Sequence, residues 1–204
     1  QLALNRAGTF LAVSDISSSV VDYSSVNIYK LYNNKWQLLG NKIVSSYLND
    51  GFGTSISLSD DGYTLVIGAP IWNATTDNEN EGKFYVYNYN SLCRSWDLVF
   101  EKEGNNLYGQ LGASVSLNGN GNILAVSEPE ADRDGGLTQK GLVTIYQLDG
   151  WTKNWNQLGV AIQGDQNGSF MGSEPNSVKL NEKGDIVSIT SLSNNNKVVE
   201  VYQY

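Results

Sequence analysis

The chain has 204 residues, with 21 acidic against 13 basic side chains, a net charge of −8 and no histidine. Ser-His-Asp and Cys-His chemistry and every histidine-containing metal site are therefore excluded, and Cys93, the single cysteine, has no partner for an intrachain disulfide. An acidic surface without a basic cluster repels nucleic-acid phosphates and anionic lipid, and no apolar run is long enough for a membrane-spanning helix.

Taken in chain order, the first apolar-alternating segment is LALN, followed by the turn Asn5-Arg6-Ala7-Gly8 and the apolar run TFLAVSD. A polar stretch leads to SVNIYKLY, and a fourth segment, KWQLLGNKI, opens at Trp36. The order then returns with SISLS, Ser59-Asp60-Asp61-Gly62, YTLVIGAP, GKFYVYNY and SWDLVFEKE. It returns again with SVSLN, Asn118-Gly119-Asn120-Gly121, NILAVSEP, GLVTIYQL and NWNQLGVAI. The last round is SVKLN, Asn181-Glu182-Lys183-Gly184, DIVSITS and VVEVYQY, with no fourth segment.

Each turn ends in a glycine, where a tight hairpin needs positive φ. Alternation puts Ile56 with Leu58, Val115 with Leu117, and Val178 with Leu180 on one face of their strands. The second segments are nearly continuous apolar runs, as expected of strands covered on both faces. Tyr29, Tyr87, Tyr146 and Tyr202 hold one place in the third segments, and Trp36, Trp96 and Trp155 open the fourth. Gly8, Gly62, Gly121 and Gly184 set a period of about 54 to 63 residues.

Four antiparallel strands per period with no helix signal predict an all-β fold, a β-propeller or a segment of one, with about four blades. A lone four-stranded sheet cannot cover both of its faces; stacked blades can. In-phase repetition of Gly, Tyr and Trp argues against a β-sandwich. The repeats run approximately 1–51, 52–110, 111–170 and 171–204, fifteen strands in one domain without a linker. An open stack would expose two apolar blade faces, so the expectation is a part of a longer polypeptide, or packing against another chain that completes the ring.

The composite repeat, GxSVSLSxDGxxLAVGAP, then GxVxVYxY, WxQLGxxIxG and FG, resembles the FG-GAP-like repeat. That repeat is the blade unit of integrin α-subunit propellers and of many secreted or surface proteins. Phe52-Gly53 and Gly68-Ala69-Pro70 carry the motif, and Leu111-Gly112, Met171-Gly172 and Ser127-Glu128-Pro129 are looser versions. The resemblance covers essentially the whole chain. It implies an extracellular or cell-surface, non-catalytic module with structural or adhesive protein interactions. In the integrin-type repeat the first hairpin is often a D-x-D-x-D-G calcium loop. Here Asp60-Asp61-Gly62 and Asn118-Gly119-Asn120 are too short to supply six to eight oxygens, so a turn role is the better reading.

Four carboxylates, Glu128, Glu130, Asp132 and Asp134, crowd the loop SEPEADRDGG and are the candidates for calcium, against a solvated acidic loop as the favoured reading. Asp77, Glu79 and Glu81 occupy the matching loop one repeat earlier, so both loops should emerge at one end of the propeller. Trp36, Trp96 and Trp155 recur in phase and read as packing between blades. Trp72 and Trp151 break the phase and are the candidates for a glycan or protein contact. Asn73-Ala74-Thr75 and Asn167-Gly168-Ser169 fit the N-glycosylation pattern. The alternative to a protein-binding module is a lectin-like, carbohydrate-binding propeller. A carboxylate-dependent glycoside hydrolase ranks below both, because no acid–base pair is identifiable.

Overall fold

The computed structural model describes residues 1–17, 21–74, 79–132, 138–194 and 196–204, which hold seventeen strands and no helix. The first sheet contains β1 (Leu2–Leu4), β2 (Phe10–Asp15), β3 (Ser25–Tyr32), β4 (Lys35–Leu38) and β5 (Ile43–Val44). The second has β6 (Ser55–Leu58), β7 (Thr64–Ala69), β8 (Lys83–Asn90) and β9 (Ser95–Glu103). The third has β10 (Val115–Leu117), β11 (Ile123–Glu128), β12 (Leu142–Leu148), β13 (Trp155–Gln157) and β14 (Ile162–Gln163). The fourth has only β15 (Val178–Leu180), β16 (Ile186–Ser193) and β17 (Asn196–Gln203). All the strand pairings are antiparallel between neighbours in sequence, except that β5 and β14 return to β3 and β12.

Seventeen strands stand where fifteen were expected. In the first and third blades the outermost strand breaks at Gly40 and Gly159, each with positive φ, and its two halves pair separately with the third strand. In the second blade β9 runs unbroken and takes the same slippage as a bulge between Val86 and Tyr87. An outer strand must slip against its twisted neighbour somewhere, and the break or bulge is where it does so.

The hairpins form for the local reasons the sequence implies. Gly8, Gly62, Gly121 and Gly184 have φ of 65°, 73°, 67° and 84°. Asn5 Oδ1 accepts from the Thr9 and Phe10 N–H groups, and Asn118 Oδ1 from those of Asn122 and Ile123. Asn181 does the same for Gly184 and Ile186, and Ser59 Oγ accepts from Thr64. These side chains supply the orphan turn donors with an acceptor. Tyr29, Tyr87, Tyr146 and Tyr202 lie opposite Leu11, Leu65, Leu124 and Val187, one register position in four blades.

Three apolar clusters separate the blades. Val26 and Ile28 meet Ile56, Leu58 and Trp96; Phe84 and Val86 meet Val115, Leu117 and Trp155; Val143 and Ile145 meet Met171, Val178 and Ile189. Each blade thus presents a forward face of third-strand residues to the back face of the next. The motif glycines sit in these seams. A Cβ on Gly68 would lie 2.0 Å from the Gly112 carbonyl oxygen, and one on Gly172 would lie 2.4 Å from Ser127 Cβ. The FG glycine of one blade therefore rests directly on the GAP glycine, or its serine substitute, of the blade before.

Antiparallel order puts the second-to-third-strand loops and the inter-blade connections at one end, the loop end. The first-to-second and third-to-fourth turns lie at the other, the turn end. At the turn end the four inner hairpins are tied together. Asp60 N–H donates to Gly119 O at 2.8 Å, Gly119 N–H to Glu182 O at 3.0 Å, and Asn5 Nδ2 to Asp60 O at 2.8 Å. Arg6 and Glu182 form an ion pair between the first and last of these hairpins.

Candidate functional site

The loop end of the second blade is the most elaborated part of the molecule. Lys83 opens β8 with its side chain buried. Its Nζ lies 3.1 Å from both Glu101 and Glu103, and 5.7, 5.0 and 5.2 Å from the ring centroids of Tyr47, Trp72 and Tyr85. Burial works against the ammonium charge, but the two carboxylates outweigh it and raise the Lys83 pKa. Beside this box Asp50 accepts from Ser45 Oγ at 2.5 Å and from the Phe52 N–H at 2.9 Å, and its burial lifts the carboxyl above the usual range. The aromatic box is filled by the chain's own cation, which clamps the loop around Tyr47 onto blade two.

Trp72 belongs to that clamp. It is 4% exposed and stacks edge-on with Tyr47 at 5.8 Å. The reading of Trp72 as a ligand contact is therefore corrected: it breaks the repeat phase because it packs a unique lysine, not because it faces a partner.

The acidic loop is also used from within. Glu128 is buried and accepts from Asn106 Nδ2 at 2.9 Å; burial raises its carboxyl above the usual range despite that bond. Glu130 accepts from Gln110 Nε2 at 2.5 Å and from Gln139 Nε2 at 3.1 Å. Asp132 caps its own loop, accepting from the Thr138, Gln139 and Lys140 N–H groups and from Thr138 Oγ1. Burial pushes Asp132 up, but these donors win and hold it below the ordinary range. Among the described residues no group of three His, Cys, Asp or Glu side chains is placed to hold a metal. Asp134 and Asp77 lie outside the described residues. Glu81 is buried against the Ala74 N–H, and the Glu79 carbonyl accepts from Tyr108. The described candidates Glu81, Glu128, Glu130 and Asp132 thus each accept from donors of the chain itself.

Among the described loop-end residues, an apolar set is exposed beside polar residues such as Ser46, Asn49 and Asn105. Tyr47, Leu48, Ile71, Leu107 and Tyr108 are exposed. The Ile71 N–H donates to Asp50 O, the Tyr108 N–H to Glu79 O and the Gln110 N–H to Asn80 O, so these side chains flank the β7–β8 connection on both sides. Tyr108 has φ of 62°, an uncommon conformation for a bulky residue, held by those bonds.

Residues 47–87, one full passage through this region, match the family model of the FG-GAP repeat. The chain carries an FG-GAP repeat within a stack of β-propeller blades. A comparison with the curated proteins finds no match to the chain. The stack of blades is similar to solved β-propellers. A candidate 6-phosphogluconolactonase from Bacteroides uniformis matches with a TM-score of 0.61 at 11% identity, over 99% of this chain and 49% of that one. Sqt1 of Saccharomyces cerevisiae matches at 0.58 and 11%, over 97% and 43%. The β-propeller domain of the Trilobed protease from Pyrococcus furiosus, described as having an open velcro topology, matches at 0.55 and 10%, over 100% and 54%. The chain thus spans about half the length of these structures. Likeness at such identity speaks for the fold and not for an activity.

The remaining candidates fall elsewhere on the stack of blades. Trp151 is 97% exposed at the turn end, far from the loop-end patch in topology, where Asp149 Oδ1 accepts from the Trp151 and Thr152 N–H groups at 2.8 Å each. Trp96 and Trp155 are buried between blades, whereas Trp36, in the first blade described, is exposed. Asn73 donates from Nδ2 to Ile71 O and accepts from the Asn80 N–H, while its sequon partner Thr75 lies outside the described residues. Asn167 is exposed, with Ser169 buried beneath it and bonded to Gln166. Tyr47-Leu48 and Leu107-Tyr108 were passed over in the sequence. Their signal was an apolar pair inside a polar connection, just ahead of an FG-type dipeptide, in two successive repeats.

Proposed function

We propose that the chain is an extracellular, non-catalytic interaction module that binds a protein partner through the loop end of its propeller. The observation that carries this reading is the exposed set Tyr47, Leu48, Ile71, Leu107 and Tyr108, presented on a scaffold clamped by Lys83 and Asp50. Exposed aromatic and aliphatic side chains on rigidly held loops are what partner surfaces grip. The described loop-end carboxylates support a non-catalytic role, since each is committed to neighbours rather than paired across a cleft. The FG-GAP-like blades support the extracellular placement.

Probing an array of purified extracellular proteins with the labelled chain tests this. Replacing Leu107 by Asp and Tyr108 by Ala is expected to weaken the bound hits about 10-fold or more, with the circular-dichroism melt unchanged. Hits indifferent to both changes would sink the loop-end assignment.

A second reading, a lectin-like propeller, rests on Trp151, whose bare indole on a hydrogen-bonded turn suits stacking on a sugar ring. Glycan-array binding abolished by Trp151→Ala, with no protein hits, would favour it over the first.

A further inference from the structure

The turn end of the seam between blades one and two is packed with rings. Phe10 and Tyr63 meet edge-on at 5.2 Å, Tyr63 stacks on Tyr89 at 5.7 Å, and Tyr89 leans on Trp96 at 5.5 Å. Lys30 Nζ caps the set, 5.0 Å from the Phe10 centroid and 3.0 Å from Tyr63 Oη. The next seam, between blades two and three, carries other residues at the same register positions. Thr64 stands for Phe10 and Asn88 for Lys30, since each pair lies opposite across its second and third strands. Asn122 follows its turn glycine as Tyr63 follows Gly62, and Leu148 faces Trp155 as Tyr89 faces Trp96.

Three rings and a lysine are thus replaced by a hydroxyl, two amides and a leucine, and the space is open. A cleft of about 320 Å³ lies there, lined wholly by blades two and three. Thr64, Asn88, Asn120 and Asn122 form its polar side, with Lys153 entering from the β12–β13 turn. Val99, Leu148 and Trp155 form its apolar side, and no lining residue is acidic. The polar groups are unspent. Among the described residues the Asn88 and Asn120 amides and the Thr64 hydroxyl have no hydrogen-bond partner, and Asn122 uses only its Oδ1, which accepts from Asn118. Trp96 Nε1 donates to Leu39 O across the first seam, whereas the N–H of Trp155, a residue only 6% exposed, has no such partner in the second.

We propose that this cleft binds a single neutral sugar ring. Amides and a hydroxyl both donate and accept, which matches the neighbouring hydroxyls of a sugar, while Val99, Leu148 and Trp155 offer the apolar surface that its C–H face needs. With no carboxylate lining it, the cleft is ill suited to a cation. One lysine, its charge partly met by Asp149 on the same turn, in a chain of net charge −8, is weak provision for an anion. A volume at the small end of ligand pockets sets the size at one ring. The proposal rests neither on the loop-end patch nor on Trp151, which does not line the cleft.

Saturation-transfer NMR of the 204-residue chain tests this, against glucose, galactose, mannose, fucose and N-acetylglucosamine at about 10 mM each. At least one is expected to bind, with a Kd of about 1 mM. Asn88→Ala, and Asn122→Tyr, which restores the ring that Tyr63 supplies in the first seam, are each expected to weaken binding about 5-fold or more. Asn88 is exposed, so its truncation tests the site without touching the core. Trp151→Ala should leave the affinity unchanged. No saturation transfer to any of these sugars overturns the proposal. So does binding that survives either cleft change, binding lost with Trp151→Ala, or a cleft that takes inorganic phosphate and no sugar.

Discussion

At the scale of single residues, the molecule repeatedly spends polar side chains on its own loops. Glu128 shows the consequence for stability. Burial holds its carboxyl above the ordinary range, so the folded chain binds that proton more tightly than the unfolded chain does. The group therefore favours folding below the unfolded carboxylate pKa, and that contribution is lost as pH rises through the raised folded value. Glu128→Gln keeps an oxygen able to accept from Asn106. It is expected to melt above wild type at about pH 7 and level with it at about pH 4. Thermal melts at the two pH values check this, and a difference that does not change with pH would contradict it. Trp72 and Lys83 carry the residue-level lesson about reading sequence. Spacing showed that Trp72 is out of phase, but spacing is blind to a lysine on another strand that three rings enclose.

At the scale of elements, the in-phase tryptophans divide by burial. Trp96 is packed on Gly40 and Tyr89, with Nε1 donating to Leu39 O, whereas Trp36 faces outward. Trp96→Ala should cost about 3–5 kcal/mol and Trp36→Ala less than about 1 kcal/mol, measured by urea unfolding of the 204-residue chain. Equal losses would contradict the burial difference between the two rings. The strands themselves were largely legible, because period-two alternation, turn glycines and the recurrent tyrosines each fix a register position. The outermost strands were not. Whether slippage ends in a break at Gly40 and Gly159 or a bulge after Val86 depends on accumulated twist, which no local pattern in KWQLLGNKI or SWDLVFEKE expresses. The loop-end patch was equally hidden. Tyr47-Leu48 and Leu107-Tyr108 read as ordinary apolar pairs until the connections place them on either side of one loop.

At the scale of the whole molecule, a stack of like units is held by nearest-neighbour seams, so its stability is graded along the chain. Within these 204 residues the second and third blades are packed on both sides by neighbours, while the fourth sheet has three strands. In the 204-residue chain, amides of β15, β16 and β17 are expected to exchange fastest among the strands and those of β7, β8, β11 and β12 slowest. Hydrogen exchange read by mass spectrometry resolves this, and uniform protection would show a single cooperative unit instead. The two ends of the stack also differ in chemistry. The single cysteine, Cys93, is exposed in the β8–β9 turn, at the turn end. Coupled to a solid support through that one thiol, every molecule would stand in the same orientation, with Tyr108 and its neighbours toward the solution. The chain thus comes equipped for oriented immobilisation, with its handle at the opposite end from the surface that is offered for capture.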